Sequence, residues 1–311
     1  MYVLVSFSGR MTHVLISCCH WLGQDYETTH YLPWMVNSSF EFTHCEVPRT
    51  LARLCVEEGV GNFIHVSSLA ADEHSLSRWA RSKANGERAV RDEAPGATIV
   101  RPADMFGHED RLLNLYVRLY QVRLPPRLST SSCHVWAKIL TGERISFCVS
   151  PNPPQMFPQL PLVDGGKARL QPLFVQDFAR AVARLAMSED PEEMLAQTYD
   201  LAGPEVYTQR ELVEFVFEAI RAVRPHVANI SPRIAGWIGK SFELLPEPIV
   251  SEDRMTRLQL DCVLDDVSRA KRLHDLGIEA SSLEMPGYTW LHSFRTGSHF
   301  LDIKEAKQHS A

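Results

Sequence analysis

Asn62-Phe63-Ile64-His65-Val66-Ser67-Ser68, then the run from Ser77-Arg78-Trp79-Ala80-Arg81-Ser82-Lys83 to Arg91, then Ala97-Thr98-Ile99-Val100-Arg101, decide the fold class. The first run is short and apolar and ends in hydroxyl residues, which predicts a strand leading into a loop. The second is long enough for a helix and opens on a serine suited to cap it, and the third predicts another strand. Just upstream, Val47, Leu51, Leu54 and Cys55 recur at helical spacing from Glu46 to Gly59, with Gly59 where a left-handed C-terminal cap belongs. Helix, strand, helix, strand is the alternation of a parallel sheet with crossover helices, an α/β fold.

Downstream the alternation resumes. Leu170 to Val175 reads as a strand, Ala179, Val182, Ala183 and Ala186 as a helix face, and Gln197 to Leu201 as a further strand. Thr208 and Glu211 form a Thr-x-x-Glu capping box ahead of Leu212, Val213, Val216 and Ile220. A smaller helix-rich part is expected from about residue 225. Two stretches break the pattern. Residues 1–44 hold strand-like pieces without alternation, and residues 121–155 are rich in Pro, Ser and Cys with no steady period, a long connection for a compact domain.

Composition bounds the function. The 311 residues are 45% apolar and 23% charged with a formal charge of −6, which supports a packed core and excludes the basic stripe that non-specific nucleic-acid binding requires. The seven cysteines are Cys18, Cys19, Cys45, Cys55, Cys133, Cys148 and Cys262; they are scattered, with no Cys-x-x-Cys pair, so free thiols are expected and a zinc site is not. Arg10, His13, His20 and Gln24 interrupt the apolar N-terminal stretch, so no membrane span is expected there. The late first acidic residue, Asp25, is compatible with a transit peptide, whereas a single arginine before it is not the usual pattern.

The runs also carry candidate chemistry. Ser67 and Ser68 stand at the carboxyl end of a strand, where open α/β sheets bind ligands. Lys83 lies one helical turn after Trp79, and Ile99-Val100-Arg101-Pro102-Ala103-Asp104-Met105-Phe106-Gly107 follows the next strand. Taken alone each has a plain reading: loop serines, a surface lysine paired with Glu87 at i, i+4, an Arg-Pro turn. The later run Arg169-Leu170-Gln171-Pro172-Leu173-Phe174-Val175-Gln176-Asp177 would close the substrate side, or Asp177 would serve only the helix dipole.

In this order and spacing the segments resemble the extended short-chain dehydrogenases, in which Val-Ser-Ser, Tyr-x-x-x-Lys, Arg-Pro and Phe-Val-x-Asp-Asp-x-Ala-Arg-Ala succeed one another. A more specific resemblance is to the nucleotide-binding accessory subunits of mitochondrial respiratory complex I. It is carried by Leu22-Gly23-Gln24-Asp25-Tyr26-Glu27-Thr28, Lys83-Ala84-Asn85-Gly86-Glu87, Pro102-Ala103-Asp104-Met105-Phe106-Gly107-His108-Glu109-Asp110-Arg111 and Val163-Asp164-Gly165-Gly166-Lys167-Ala168-Arg169-Leu170-Gln171-Pro172. It covers roughly residues 22–119 and 156–295. It implies a Rossmann-like sheet and NADP or NAD as cofactor, with Gly23, Ser67, Ser68, Lys83, Arg101, Pro102 and Asp104 as binding residues. It also implies other complex I subunits as partners, a possible peripheral membrane contact, and a place on the matrix side of the mitochondrial inner membrane near the quinone site. Nucleic acid is not among the implied partners.

Three departures qualify the resemblance. In the dehydrogenases the lysine lowers the pKa of the tyrosine four residues before it; here that position is Trp79, whose indole nitrogen only donates, so no catalytic residue is assigned. No Gly-x-Gly-x-x-Gly turn occurs, and Gly59-Val60-Gly61 sits between a helix and a strand without a third glycine. Family-like sequence begins near Leu22, so the first βαβ unit is expected to be missing and residues 1–21 to be unrelated to the fold; a mis-assembled or alternatively spliced gene would give this and the insert at 121–155. The expected division is therefore 1–21 as an unrelated segment, 22–224 as a truncated NAD(P)-binding domain, and 225–311 as a helix-rich part. Three functions are weighed: a non-catalytic accessory subunit, an active NAD(P)-dependent epimerase or reductase, and a non-catalytic regulatory binding protein. The segment Ile230 to Leu245, with apolar residues at i, i+4, i+8 and Trp237, is either core or a contact helix for protein or lipid.

Overall fold

The chain is described from a computed structural model, which covers residues 2–5, 14–18, 39–121, 159–188, 194–221, 226–243 and 251–295. Gly23, the aperiodic stretch beyond Gln121 and the tail after Arg295 lie outside these residues. The main sheet has five strands in the order β1 (Tyr2–Val5), β2 (Val14–Cys18), β3 (Asn62–Val66), β4 (Thr98–Pro102) and β9 (Thr198–Leu201). β2, β3, β4 and β9 run parallel, while β1 is antiparallel at the edge. Residues 1–21 were expected to stand apart from the fold, yet two of their segments are strands of this sheet, with Ser17 paired to His65 and Leu15 to Phe63. The strand-like pieces in that stretch lie along a parallel edge of β3, and sheet pairing needs only backbone groups and a compatible pleat.

Both faces of the sheet are covered. Alternation along β3 turns Phe63 to one face, where it packs with Ala52 and Cys55 of α1 (Val47–Glu57) and with Val90 of α2 (Arg78–Glu93). Ile64 and Val100 turn to the other, larger core, shared with α3 (Leu113–Gln121), with Leu185 of α4 (Val175–Ala186) and with Leu212 of α5 (Gln209–Ala219). α1 ends as expected, with Gly59 at φ +67°. Ser77 caps α2 by accepting from the Ala80 amide at 3.2 Å, and the Thr208–Glu211 capping box of α5 is present in both directions.

Between β4 and β9 the chain leaves the main sheet. The run expected as one strand over 170–175 is two short ones, β7 (Arg169–Leu170) and β8 (Leu173–Phe174); β7 pairs with β10 (Tyr207–Thr208) and β8 with β5 (Met105–Phe106). Pro172 supplies no donor at the break, and the Gln171 side chain bonds to the Gly203 carbonyl and the Leu264 amide. The helix-rich part begins with a strand, β11 (His226–Ile230), parallel to β6 (Gln159–Val163). Then follow α6 (Pro232–Phe242), α7 (Glu252–Arg257) and α8 (Glu284–Leu291). This part returns to the main sheet through Lys271, whose backbone bonds to Thr198 and Asp200 on the outer side of β9.

Candidate functional site

Of the described candidates, Ser67 and Ser68 follow β3, Arg101 and Pro102 end β4 with Asp104 just beyond, and Lys83 lies on α2. The Ser67 amide bonds to the Val100 carbonyl at 2.8 Å and the Leu69 amide to the Pro102 carbonyl at 2.8 Å, so the serine loop is an extension of the parallel ladder. Ser67 is fully buried, Ser68 and Pro102 nearly so, and Asp104 is exposed. Period two along β3 places His65 and Ser67 on the same side as Phe63, facing α1 and α2.

Lys83 is not a surface lysine: it is 1% exposed, with Nζ 5.6 Å from the centre of the Trp79 ring. The Glu87 carboxylate is held by Arg101, whose guanidinium grips it from Nε at 2.9 and 3.1 Å and from a terminal nitrogen at 2.5 Å, with Asp200 at 3.9 Å. Burial works against the Arg101 charge, but the bonds and charge of Glu87, with Asp200 behind, raise its pKa overall. Arg101, assigned to the cofactor from the sequence, is thus engaged in tying β4 to α2.

His65 was not among the sequence candidates. It is 1% exposed, and among the described residues neither ring nitrogen has a hydrogen-bond partner; Ser67 Oγ has none either. Burial, with the Lys83 charge behind it, pushes the imidazole down to about 3, so it is neutral at physiological pH. A polar residue breaking an apolar strand at the period of Phe63 and Ser67 was the signal that could have found it.

Trp79 is enclosed. His44 meets its ring edge-on at 6.0 Å, Phe40 stacks on His44, and the Arg257 guanidinium lies 4.3 Å from the ring centre. His44 belongs to a π-helical turn, Phe42–Glu46, which lies against α2 so closely that a Cβ on Gly86 would come within 2.0 Å of the His44 carbonyl oxygen. Ser82 Oγ fixes the contact, bonding to the Trp79 carbonyl and to His44 Nδ1, each at 2.8 Å. At the mouth of α2 the Asp253 carboxylate of α7 accepts from Ser77 Oγ at 2.8 Å, from the Arg78 amide at 2.6 Å and from the Trp79 amide at 3.4 Å. Asp177, the other acid singled out from sequence, is fully buried and accepts from the Ser281 amide at 2.7 Å and from Arg180 at 3.1 Å, a structural role.

An open, mostly parallel α/β sheet with helices on both faces is a Rossmann-like fold. Two solved structures share it. A nucleoside-diphosphate-sugar epimerase of Staphylococcus aureus superposes with a TM-score of 0.52 at 15% identity, covering 87% of this chain and 78% of that one. The dTDP-glucose 4,6-dehydratase of Bacillus anthracis, solved in complex with NAD, gives 0.50 at 13% identity over 84% of this chain and 70% of that one. No protein-family model matches the chain. Curated relatives do. Subunit 9 of the mitochondrial NADH dehydrogenase (ubiquinone) 1 alpha subcomplex of Rattus norvegicus is 30% identical over 293 residues, 92% of this chain and 65% of the relative. The mitochondrial 40 kDa subunit of NADH-ubiquinone oxidoreductase of Neurospora crassa is 32% identical over 282 residues, 90% of this chain and 61% of the relative. The chain is similar to these NADH–ubiquinone oxidoreductase subunits and spans just under two thirds of their length.

Proposed function

We propose that the protein is a non-catalytic accessory subunit of mitochondrial NADH:ubiquinone oxidoreductase, held on the matrix side of the inner membrane near the quinone site by contacts with other subunits of the complex. The observation that carries this reading is Trp79: the position one turn before Lys83 bears a group that cannot exchange a proton, and it is closed on both sides by His44 and Arg257. The relatives' names supply the assembly. The reading divides the chain into a dinucleotide-type unit over 22–224 and a helix-rich part over 225–311.

NADP or NAD is the ligand this reading assigns. Ser67 fits its nicotinamide end, since Ser67 Oγ is buried with no partner among the described residues, and Lys83 and Pro102 lie on the adjoining elements. Ser68, Asp104 and Gly23 complete the assignment, Gly23 lying outside the described residues. Such a cofactor supplies hydride chemistry in related folds; here Ser67 and Lys83 bind and orient it, and no side chain at position 79 moves a proton. The helix α6 is assigned to the peripheral contact. Arg233, Ile234, Trp237 and Lys240 are exposed on it, Trp237 at 77%, while Ala235 packs inward; an indole and an isoleucine flanked by cations, with no acid on the helix, suit an anionic lipid surface.

Native-gel fractionation of mitochondria tests the assembly: the protein migrates with a large respiratory complex, and its loss lowers quinone-dependent NADH oxidation. Robust turnover of a carbonyl or nucleotide-sugar substrate by the unmodified Trp79 protein would instead favour an active epimerase or reductase. With no glycine turn in these 311 residues, calorimetry is expected to show weak NADPH binding by this chain alone, and a low-micromolar dissociation constant would contradict that.

A further inference from the structure

The geometry points to a self-made cover built into the fold: α7 closes the mouth of α2 with Asp253 and seals the Trp79 ring with Arg257, so the chain occupies its own substrate side. That this is the substrate side rests on the dehydrogenase-type reading of Lys83 and position 79; the cover itself does not.

The first turn of any helix presents backbone amides without intrahelical partners and a partial positive charge. α2 carries no acidic residue in its first turn, so beyond the Ser77 cap no local charge answers that field. Asp253 answers it from far along the chain, 5% exposed, with both carboxylate oxygens engaged by Ser77 Oγ and the amides of Arg78 and Trp79. Four residues on, the same face of α7 brings the Arg257 guanidinium over the Trp79 ring. One helical turn thus blocks two features at once, the anion-attracting helix end and the side chain at the acid-base position. The cover is seated from behind: a Cβ on Gly239 of α6 would meet the Ser251 and Glu252 backbone at 2.7 Å, so α6 and α7 are in direct backbone contact. The outer face of α6 is the exposed one described above. A surface that engages α6 therefore bears, through Gly239 and α7, on the helix that presents Lys83.

The test uses the 311-residue chain without nucleotide or partner, so its failure is separate from failure of the functional reading. Amide exchange is followed at Arg78 and Trp79, and acrylamide quenching of Trp79 is isolated by subtracting the Trp79→Phe counterpart of each variant. Asp253→Ala is expected to speed exchange of those two amides about five- to tenfold, the scale of a lost helix cap. Sodium acetate should restore protection in that variant and leave the parent unchanged. Arg257→Ala should raise Trp79 quenching several-fold with the circular dichroism intact. Should Asp253→Ala fail to fold, the near-isosteric Asp253→Asn is read in the same way. Unchanged exchange in the Asp253 variants, unchanged Trp79 quenching in Arg257→Ala, or a loss of protection spread over all helices and insensitive to acetate, would each overturn the proposal.

Discussion

Two arginine–carboxylate forks join distant parts of the chain in opposite surroundings. Under α2, Arg101 grips Glu87 with that carboxylate side chain 6% exposed and its own 31%. On β7, Arg169 grips Asp261 at 2.8 and 2.9 Å, with side chains 60% and 42% exposed. Each guanidinium bonds through Nε and a terminal nitrogen, but the worth of the two pairs differs. Water competes for the second pair and salt screens it, whereas breaking the first strands a charge in a dry interior. The β3–α2–β4 region is therefore held by groups that tolerate no loss, and the β7 region by groups that are individually dispensable.

The sharpest way to break this contrast is Glu87→Ala, which is expected to cost about 3 kcal/mol in urea denaturation, the low end for a buried pair because Arg101 keeps some contact with water. A loss within error of the exposed pair's would erase the difference between the regions. His65 gives the next effect, through pH. Its folded-state pKa near 3 lies below the ordinary 6.5, so between those values the unfolded chain binds a proton that the folded chain refuses. Stability must then fall as pH drops through that window, by about 2 kcal/mol from pH 7 to pH 5 for this residue. His65→Leu should flatten that part of the profile, and a profile parallel to the parent's would show that the imidazole is not kept neutral. The smallest effect is expected from Arg169→Ala, about 0.5 kcal/mol and shrinking further in high salt. A loss above about 2 kcal/mol there would place the β7 region in the same class as α2.

The parts legible in sequence were those written locally. The strand at Asn62–Val66, the helix after Ser77, the left-handed Gly59 and the Thr208–Glu211 box each depend on residues within a few positions of one another. What escaped depends on distant partners. β11 pairs with β6 across some two helices and four strands of intervening chain, and His226 to Ile230 carries no alternation that would announce a strand. The acid at the mouth of α2 comes from Asp253, and nothing near Ser77 indicates it. At the site, Ser67 and Lys83 were assigned to a cofactor from their motifs, but their burial was not legible, and neither was the engagement of Arg101 by Glu87, because both are made by the packing of α2.

The backbone of Lys271 on β9 has a consequence for the molecule in company. Its amide bonds to the Thr198 carbonyl and its carbonyl takes the Asp200 amide, so the outward row of β9 is already occupied over most of its four residues. A strand from a neighbouring copy would find no ladder to extend there. One flank of the sheet is in this way protected from edge-to-edge aggregation by the chain's own later segment.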